Sequence, residues 1–310
     1  MSGMPKRLVI DVDTGTDDAL ALLYALAHPD LELLGISCVT GNVTVDQAVI
    51  NSCKVLDAAC TSDIPVAAGA GAPLIERARR EGASHGPDGL AGIQLPKTSR
   101  QRSSLHAVEL LHHLIMGSPE PVSLVTLAPK TNLAMLLTRY PEVAARVGQM
   151  IFMGGSTSGE NTTGDAEFNV WQDPEAARCV IESSIPTTMY PFELFNRLAV
   201  SQGVTDRFRR HDHPAIRLAG ELLHRRRTSS HGPTHDQVGL LGDAGALVLL
   251  TNPELFVTRE FPIQVNLNGI NRGRTVADQH AGPRRTAVAV DLDAAQAASA
   301  FVRVIDAYAA

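Results

Sequence analysis

DVDTGTDDALAL, residues 11–22, sets four aspartates within eight positions directly behind the apolar run Leu8-Val9-Ile10. An apolar run that stops at the turn-forming Thr14-Gly15-Thr16 predicts a short buried strand. Ala19, Leu20, Leu22, Leu23, Leu26 and Ala27 then recur at helical spacing. His28-Pro29-Asp30 ends that helix, and a second apolar run from Leu31 to Thr40 stops at Gly41-Asn42. Strand, helix and strand in that order predict a parallel, right-handed unit. The four aspartates therefore fall at the carboxyl end of the first strand, where open α/β sheets bind their ligands.

The pattern recurs. Val122 to Thr126 reads as a strand that ends at Ala128-Pro129 before a helical stretch from Asn132 to Arg139, and Met150 to Met153 as a strand that ends at Gly154-Gly155. Asp173-Pro174-Glu175-Ala176-Ala177 opens another helix, with the aspartate as cap and proline at the first helical position. The fold class is α/β, an open and mostly parallel sheet flanked by helices, with residues 1–310 as a single domain. Two polar segments, Glu76 to Gly92 and His224 to Asp236, read as solvated loop or helix face, or alternatively as a lid over the strand ends.

Carboxylates this close repel one another and resist burial unless a cation, a proton or a set of donors compensates them. Asp11, Asp13, Asp17 and Asp18 therefore ask for a metal. Hard cations take several oxygen ligands, and a carboxylate beside such an ion can deprotonate its bound water. The positive end of the following helix accounts for Asp17 and Asp18 but not for all four. Asn42 is either a turn residue or a group reaching the same rim, and Thr126 either packs or offers its carbonyl. Asp243, in LLGDAGALVLL, fits a helix cap as well as a site role. Asn161, Glu167 and Asn169 interleave polar groups with Phe168 and Trp171, a combination suited to a sugar and its base.

Composition sets the limits. The chain is 44% hydrophobic and 19% charged, ordinary for a globular protein, and its net charge of −6 provides no field for a nucleic-acid polymer. Cys38, Cys53, Cys60 and Cys179 lack paired metal-binding spacing and read as reduced core thiols. The N-terminus runs into an aspartate too early for a signal peptide, and no apolar run is long enough to span a membrane, so the expected compartment is the cytoplasm.

With these residues in place, the chain resembles the nucleoside hydrolases, the inosine-uridine-preferring N-ribohydrolase family. DVDTGTDD looks like their DxDxGxDD signature. Gly41-Asn42, Thr126 with Pro129 and Thr131-Asn132-Leu133-Ala134, Met153-Gly154-Gly155, and Glu167-Phe168-Asn169 with Asp173-Pro174-Glu175-Ala176-Ala177 follow in the same order. The resemblance covers essentially the whole chain. It implies a calcium ion held by Asp13, Asp18, the carbonyl of Thr126, and Asp243, with Asp13 also the general base. It further implies that Asp17, Asn169 and Asp243 hold the 2′- and 3′-hydroxyls of ribose, and that Asn161 and Glu167 hold the 5′-hydroxyl. Asn42 would lie close to metal and sugar, and Asp11 would support the cluster from behind. The partner implied is a small nucleoside, met in purine or pyrimidine salvage by a homodimer or homotetramer.

Two departures stand out. Many members carry a histidine directly before the last aspartate, where this chain has Gly242, so the acid for the leaving base is unassigned; His85, His231 and His235 are the candidates. Ala128 replaces a common glycine, which matters little if its φ is negative. Base preference stays open. DVDTG also fits, loosely, the start of haloacid-dehalogenase-like magnesium phosphatases, but that reading leaves Asp17, Asp18 and the Glu167-Phe168-Asn169 block unused. A non-catalytic protein that binds ribose or calcium is the other alternative.

Overall fold

A computed structural model of the chain describes residues 4–61, 64–78, 85–157, 166–229, 238–277 and 285–309. Its strands are β1 (Lys6–Val12), β2 (Leu31–Cys38), β3 (Val66–Ala68), β4 (Val122–Thr126), β5 (Val147–Met153), β6 (Thr187–Tyr190), β7 (Ala199–Ser201), β8 (Val238–Leu240), β9 (Phe256–Phe261), β10 (Ile263–Val265), β11 (Thr275–Ala277) and β12 (Thr286–Leu292). Eight of them form one sheet in the order β3-β2-β1-β4-β5-β6-β12-β9. Every neighbouring pair is parallel except β12 and β9. β7 with β8, and β10 with β11, make two small antiparallel ribbons.

The sequence dictates this layering. Side chains alternate along β1, so Leu8, Ile10 and Val12 enter a core with the helix Thr16–Ala27, while Val9 enters a second core with Leu111, Ile115, Leu124 and Leu133 on the opposite face. The helix Thr16–Ala27 is buried from Thr16 to Ala25, because helices Pro214–Ser229 and Ala244–Thr251 cover the side that the sheet does not. Each of Leu20, Leu22 and Leu23 is fully enclosed, which stabilises the fold by about 1.5–3 kcal/mol per side chain. β1 thus lies mid-sheet, and the helix that begins at Thr16 is rooted four residues beyond its last residue, Val12.

Topology then places the ligand crevice. Strand order runs away from β1 in both directions, through β2 on one side and β4 on the other, so β1 and β4 are the point where the winding reverses. Connections leaving adjacent strand ends in opposite directions open a crevice at that point.

Two readings of the sequence change. Residues 85–92 of the first polar segment are not a solvated loop: Leu90 is buried, and the Asp88 carbonyl accepts a bond from Asn51. In the second, His224 to Arg226 lie within the helix Pro214–Ser229, and Arg226 turns inward. All four cysteines are free thiols, but only Cys38 and Cys53 lie in the core: Cys179 is half-buried and Cys60 is exposed. Among the described residues, no helix is long and apolar enough to cross a membrane.

Candidate active site

Strand alternation turns Asp11 to the face of Val9. There it accepts hydrogen bonds from the Ser37 hydroxyl, from Nδ2 of Asn132 at 2.8 Å and from the Thr126 hydroxyl at 3.4 Å. Asn132 also donates to the Cys38 carbonyl at 3.0 Å, and its Oδ1 accepts the Ala70 N–H. Asp11 therefore fastens β1 to β2 and β4 beneath the crevice. Asp13, just past the strand, accepts the main-chain N–H of Asn42 at 2.6 Å on Oδ2 and lies 3.3 Å from the Asn42 amide nitrogen on Oδ1. The same amide reaches Oδ2 of Asp18 at 3.4 Å.

Asp17 and Asp18 occupy the first turn of the helix Thr16–Ala27. Asp18 accepts the Gly15 N–H at 2.8 Å on Oδ2, a cap that leaves its buried Oδ1 without a hydrogen-bond partner. Asp17 stands between two bases: Arg226 lies 3.0 Å from Oδ2 and His85 Nδ1 3.5 Å from Oδ1. Asp243 precedes the helix Ala244–Thr251, yet its side chain accepts no capping bond, so the capping alternative falls away. Ligand atoms of Asp17, Asp18 and Asp243 all lie within 4.8 Å of one another, and all three residues are buried.

The facing side of the crevice is built on the ends of β4 and β5. Glu167 caps the helix Phe168–Gln172, accepting from Asn169 N at 2.9 Å and Val170 N at 3.2 Å, and it also accepts the Gly155 N–H at 2.9 Å. Asn169 Nδ2 donates to the Leu127 carbonyl at 2.8 Å. Lys130, buried, donates to the carbonyls of Ala128 at 2.5 Å and Met153 at 2.7 Å. Ala128 is not among the residues with positive φ, so its methyl group causes no backbone strain.

Burial raises most of these acids. It pushes Asp13 up to about 7, with the neighbouring Asp17 adding to the rise against the Asn42 N–H, and Asp11 up to about 6 against its hydrogen-bond donors. Asp18 and Asp243 rise well above the carboxylate range through burial and their like-charged neighbours. Asp17 moves the other way, because Arg226 and His85 beside it outweigh its burial. Burial lowers His85 and brings Lys130 down to about 8, against the pull of Glu167 and Asp11. Asp17, Asp18 and Asp243 crowd together, Asp18 and Asp243 resist ionisation, and Asp18 carries an orphaned buried oxygen, a donor set that a hard cation satisfies.

Residues 8–299 match the family described as inosine-uridine preferring nucleoside hydrolase. The chain belongs to that family. It is 36% identical over 279 residues to a pyrimidine-specific ribonucleoside hydrolase RihA of Shewanella sp. (strain MR-7), covering 89% of this chain and 88% of that one. To the RihA of Enterobacter sp. (strain 638) it is 35% identical over 302 residues, 94% of each. Two solved structures share the fold. One is a plant nucleoside hydrolase, PpNRh1, with TM-score 0.90 and 27% identity over 97% of this chain and 99% of that one. The other is a purine-preferring ribonucleoside hydrolase from Gardnerella vaginalis, with TM-score 0.91 and 26% identity over 98% and 99%. As a nucleoside hydrolase the chain is an enzyme acting on N-glycosidic bonds, and the phosphatase alternative is left without support.

Of the residues singled out in the sequence, Asp11, Asp13, Asp17, Asp18, Asn42, Thr126, Glu167, Asn169, Asp243 and His85 gather around this one crevice. Asn161, His231 and His235 lie outside the described residues. Sequence reasoning passed over Lys130, Asn132 and Arg226. Asn132 sat inside a quoted motif without a role, and Arg226, which pairs with Asp17, was hidden in a run of three arginines.

Proposed function

We propose that the chain hydrolyses ribonucleosides to free base and ribose, with a calcium ion held by Asp13, Asp18, Asp243 and the main-chain carbonyl of Thr126. The observation that carries this reading is the buried convergence of Asp18 and Asp243 beside Asp13, facing Glu167 and Asn169 across one crevice. Asp17 is left out of the ligand set because Arg226 already neutralises it. Calcium suits flexible carboxylate and carbonyl ligation better than magnesium does.

A bound calcium ion supplies positive charge that acidifies the attacking water and offsets the repulsion among the aspartates. Asp13 accepts the proton of that water, and the donors of Asn42 hold its carboxylate in place while the water oxygen attacks the anomeric carbon. As the bond to the base lengthens, positive charge grows on the ribose ring, and the surrounding carboxylates stabilise it. Asp17, Asn169 and Asp243 hold the 2′- and 3′-hydroxyls, with Glu167 and Asn161 at the 5′-hydroxyl. Such contacts to the sugar favour ribonucleosides over 2′-deoxy substrates, because a missing hydroxyl leaves buried polar groups unsatisfied. Because relatives at 33–36% identity are named pyrimidine-specific, uridine and cytidine are the first nucleosides to try.

Ribose release from a panel of purine and pyrimidine ribonucleosides, with calcium and after chelation, tests the reading. Release that stops on chelation and returns with calcium supports it. Binding of ribose without release from any nucleoside overturns it in favour of a non-catalytic protein.

A further inference from the structure

We propose that Arg226 is the group that receives the leaving base, and that Gly242 is glycine because the guanidinium occupies the space its side chain would fill. The inference rests on the ribonucleoside hydrolase reading above and extends it to the end of the substrate for which the sequence offered no assigned group.

The geometry is tight. A Cβ built on Gly242 would lie 2.9 Å from Nη2 of Arg226, 2.8 Å from Cβ of Asp17 and 3.0 Å from Asp17 Oδ2. Real Cβ atoms do not tolerate neighbours at such distances, so any side chain here displaces the arginine or the aspartate. Gly242 also has φ +59°, a left-handed conformation that favours glycine. The guanidinium itself is held on several sides: Nε donates to the Leu240 carbonyl at 3.1 Å, Nη1 lies 3.0 Å from Asp17 Oδ2 and donates to the Thr16 hydroxyl at 3.3 Å, and the Phe195 ring lies 5.3 Å away beneath it. Its side chain is only 10% exposed. Such a guanidinium is fixed in place before any substrate arrives.

Its location relative to the sugar follows from ribose chemistry. Glu167 and Asn169 lie on the side of the crevice made by the ends of β4 and β5, and Asp17 on the side made by the first helix. If, of the three groups assigned above to the 2′- and 3′-hydroxyls, Asp17 takes the 2′-hydroxyl while Glu167 holds C5′, the ribose presents C1′, the next carbon after C2′, to whatever stands beside Asp17. That group is Arg226, with His85 on the other oxygen of the same carboxylate. The bond between C1′ and the base nitrogen breaks with its electron pair going to the base, where it spreads onto the carbonyl oxygen next to that nitrogen in a pyrimidine. The water oxygen forms the new bond to C1′, its proton passes to Asp13, and the base takes a proton from solvent after departure. A guanidinium is always charged and is a poor proton donor, but a fixed hydrogen-bond donor aimed at developing negative charge is effective without proton transfer. Arg226 therefore acts as an anion receptor.

The test compares substrates whose leaving groups need different amounts of help. Uracil departs poorly from uridine unaided, whereas p-nitrophenyl ribofuranoside releases a phenolate stabilised by its own nitro group. Arg226→Ala removes both the receptor and the counter-charge of Asp17, and the second loss weakens sugar binding equally for both substrates. The expected result is a fall in kcat of about 100-fold or more for uridine, with a fall at least tenfold smaller for the p-nitrophenyl riboside. Gly242→Ala crowds both the guanidinium and Asp17, and because the shared loss at Asp17 falls on both substrates, its effect on uridine again exceeds that on the p-nitrophenyl riboside, with thermal melting confirming that the variant folds. Equal losses on the two substrates overturn the proposal and reduce Arg226 to the partner of Asp17. A wild-type enzyme that cleaves neither riboside overturns the hydrolase reading itself, and this proposal with it.

Discussion

The main-chain N–H of Asn42 donates to Oδ2 of Asp13 at 2.6 Å, so the turn that ends β2 holds the carboxylate that ends β1. Two adjacent parallel strands thus position one acid through a backbone contact that no side-chain substitution at residue 42 removes. The Asn42 side chain adds a second function, lying 3.3 Å from Asp13 Oδ1 and 3.4 Å from Asp18 Oδ2 and so linking two acids that repel each other. These two contacts separate a base from the group that holds it. Asp13→Asn keeps the shape but removes the base and one proposed calcium ligand, with an expected fall in kcat of at least about 10²–10⁴-fold and, in the metal-free protein, no loss of thermal stability, because a buried acid is replaced by an amide. Asn42→Ala keeps the backbone donor and removes only the link, with an expected loss of about 10- to 100-fold. Ribose release and thermal melting on both variants check the pair, and an Asn42→Ala loss as large as that of Asp13→Asn counts against a division of roles.

Gly41 permits that arrangement. A Cβ at this position would fall on the carboxylate of Asp13, with Pro129 close behind it. Gly41→Ala forces Asp13 off the Asn42 N–H, and the expected outcome is activity as low as that of Asp13→Asn, together with a lower melting temperature. Near wild-type activity in this variant would show that Asp13 acts from another position.

The difference between what was and was not legible in the sequence is physical. β1 and the helix after it were readable because Leu8-Val9-Ile10 and the leucines after Thr16 carry their periodicities in adjacent residues, and four aspartates at their junction have few structural uses. Asp243 was ambiguous because a helix cap and a site carboxylate have the same local sequence; only the missing capping bond decides between them. Lys130 and Asn132 were not legible in their roles at all. Their partners, Met153 and Asp11, are distant in the chain, and nothing in Pro129-Lys130-Thr131 marks the lysine as buried. Arg226 shares its three-residue run with Arg225 and Arg227, and only the packing of the helix Pro214–Ser229 against the first helix selects it.

Cation removal should act on stability as well as on turnover. Burial and mutual repulsion raise Asp18 and Asp243, so in the absence of a cation the ionised cluster destabilises the fold near neutral pH. Calcium at about one hundred times its Kd adds about 2.7 kcal/mol, enough to raise the melting temperature by several degrees. Asp18→Asn should melt higher than wild type after chelation, because it relieves repulsion, and should gain less on adding calcium. A calcium-dependent rise that is undiminished in Asp18→Asn removes that residue from the ligand set.

Lys130 predicts a stability effect on the alkaline side. Its ammonium is buried against the Phe152 ring, where burial lowers its pKa to about 8 although Glu167 and Asp11 favour the charge. An unfolded lysine keeps its proton to about pH 10.4. Between these two values the unfolded chain binds the extra proton, so this residue makes the folded state more stable as pH rises, with a slope of up to about 1.4 kcal/mol per pH unit. Below pH 8 both states are protonated and the contribution is flat; above 10.5 both are neutral and it is flat again. Other groups titrate in the same range, including Tyr24, which burial raises to about 12, so the comparison is with Lys130→Met, which lacks only this proton. Urea unfolding of the metal-free proteins from pH 7 to 10.5 should show wild type gaining on the variant through the upper part of that range. Parallel curves would mean that the native ammonium keeps its proton, held by the carbonyls of Ala128 and Met153 more strongly than burial opposes it.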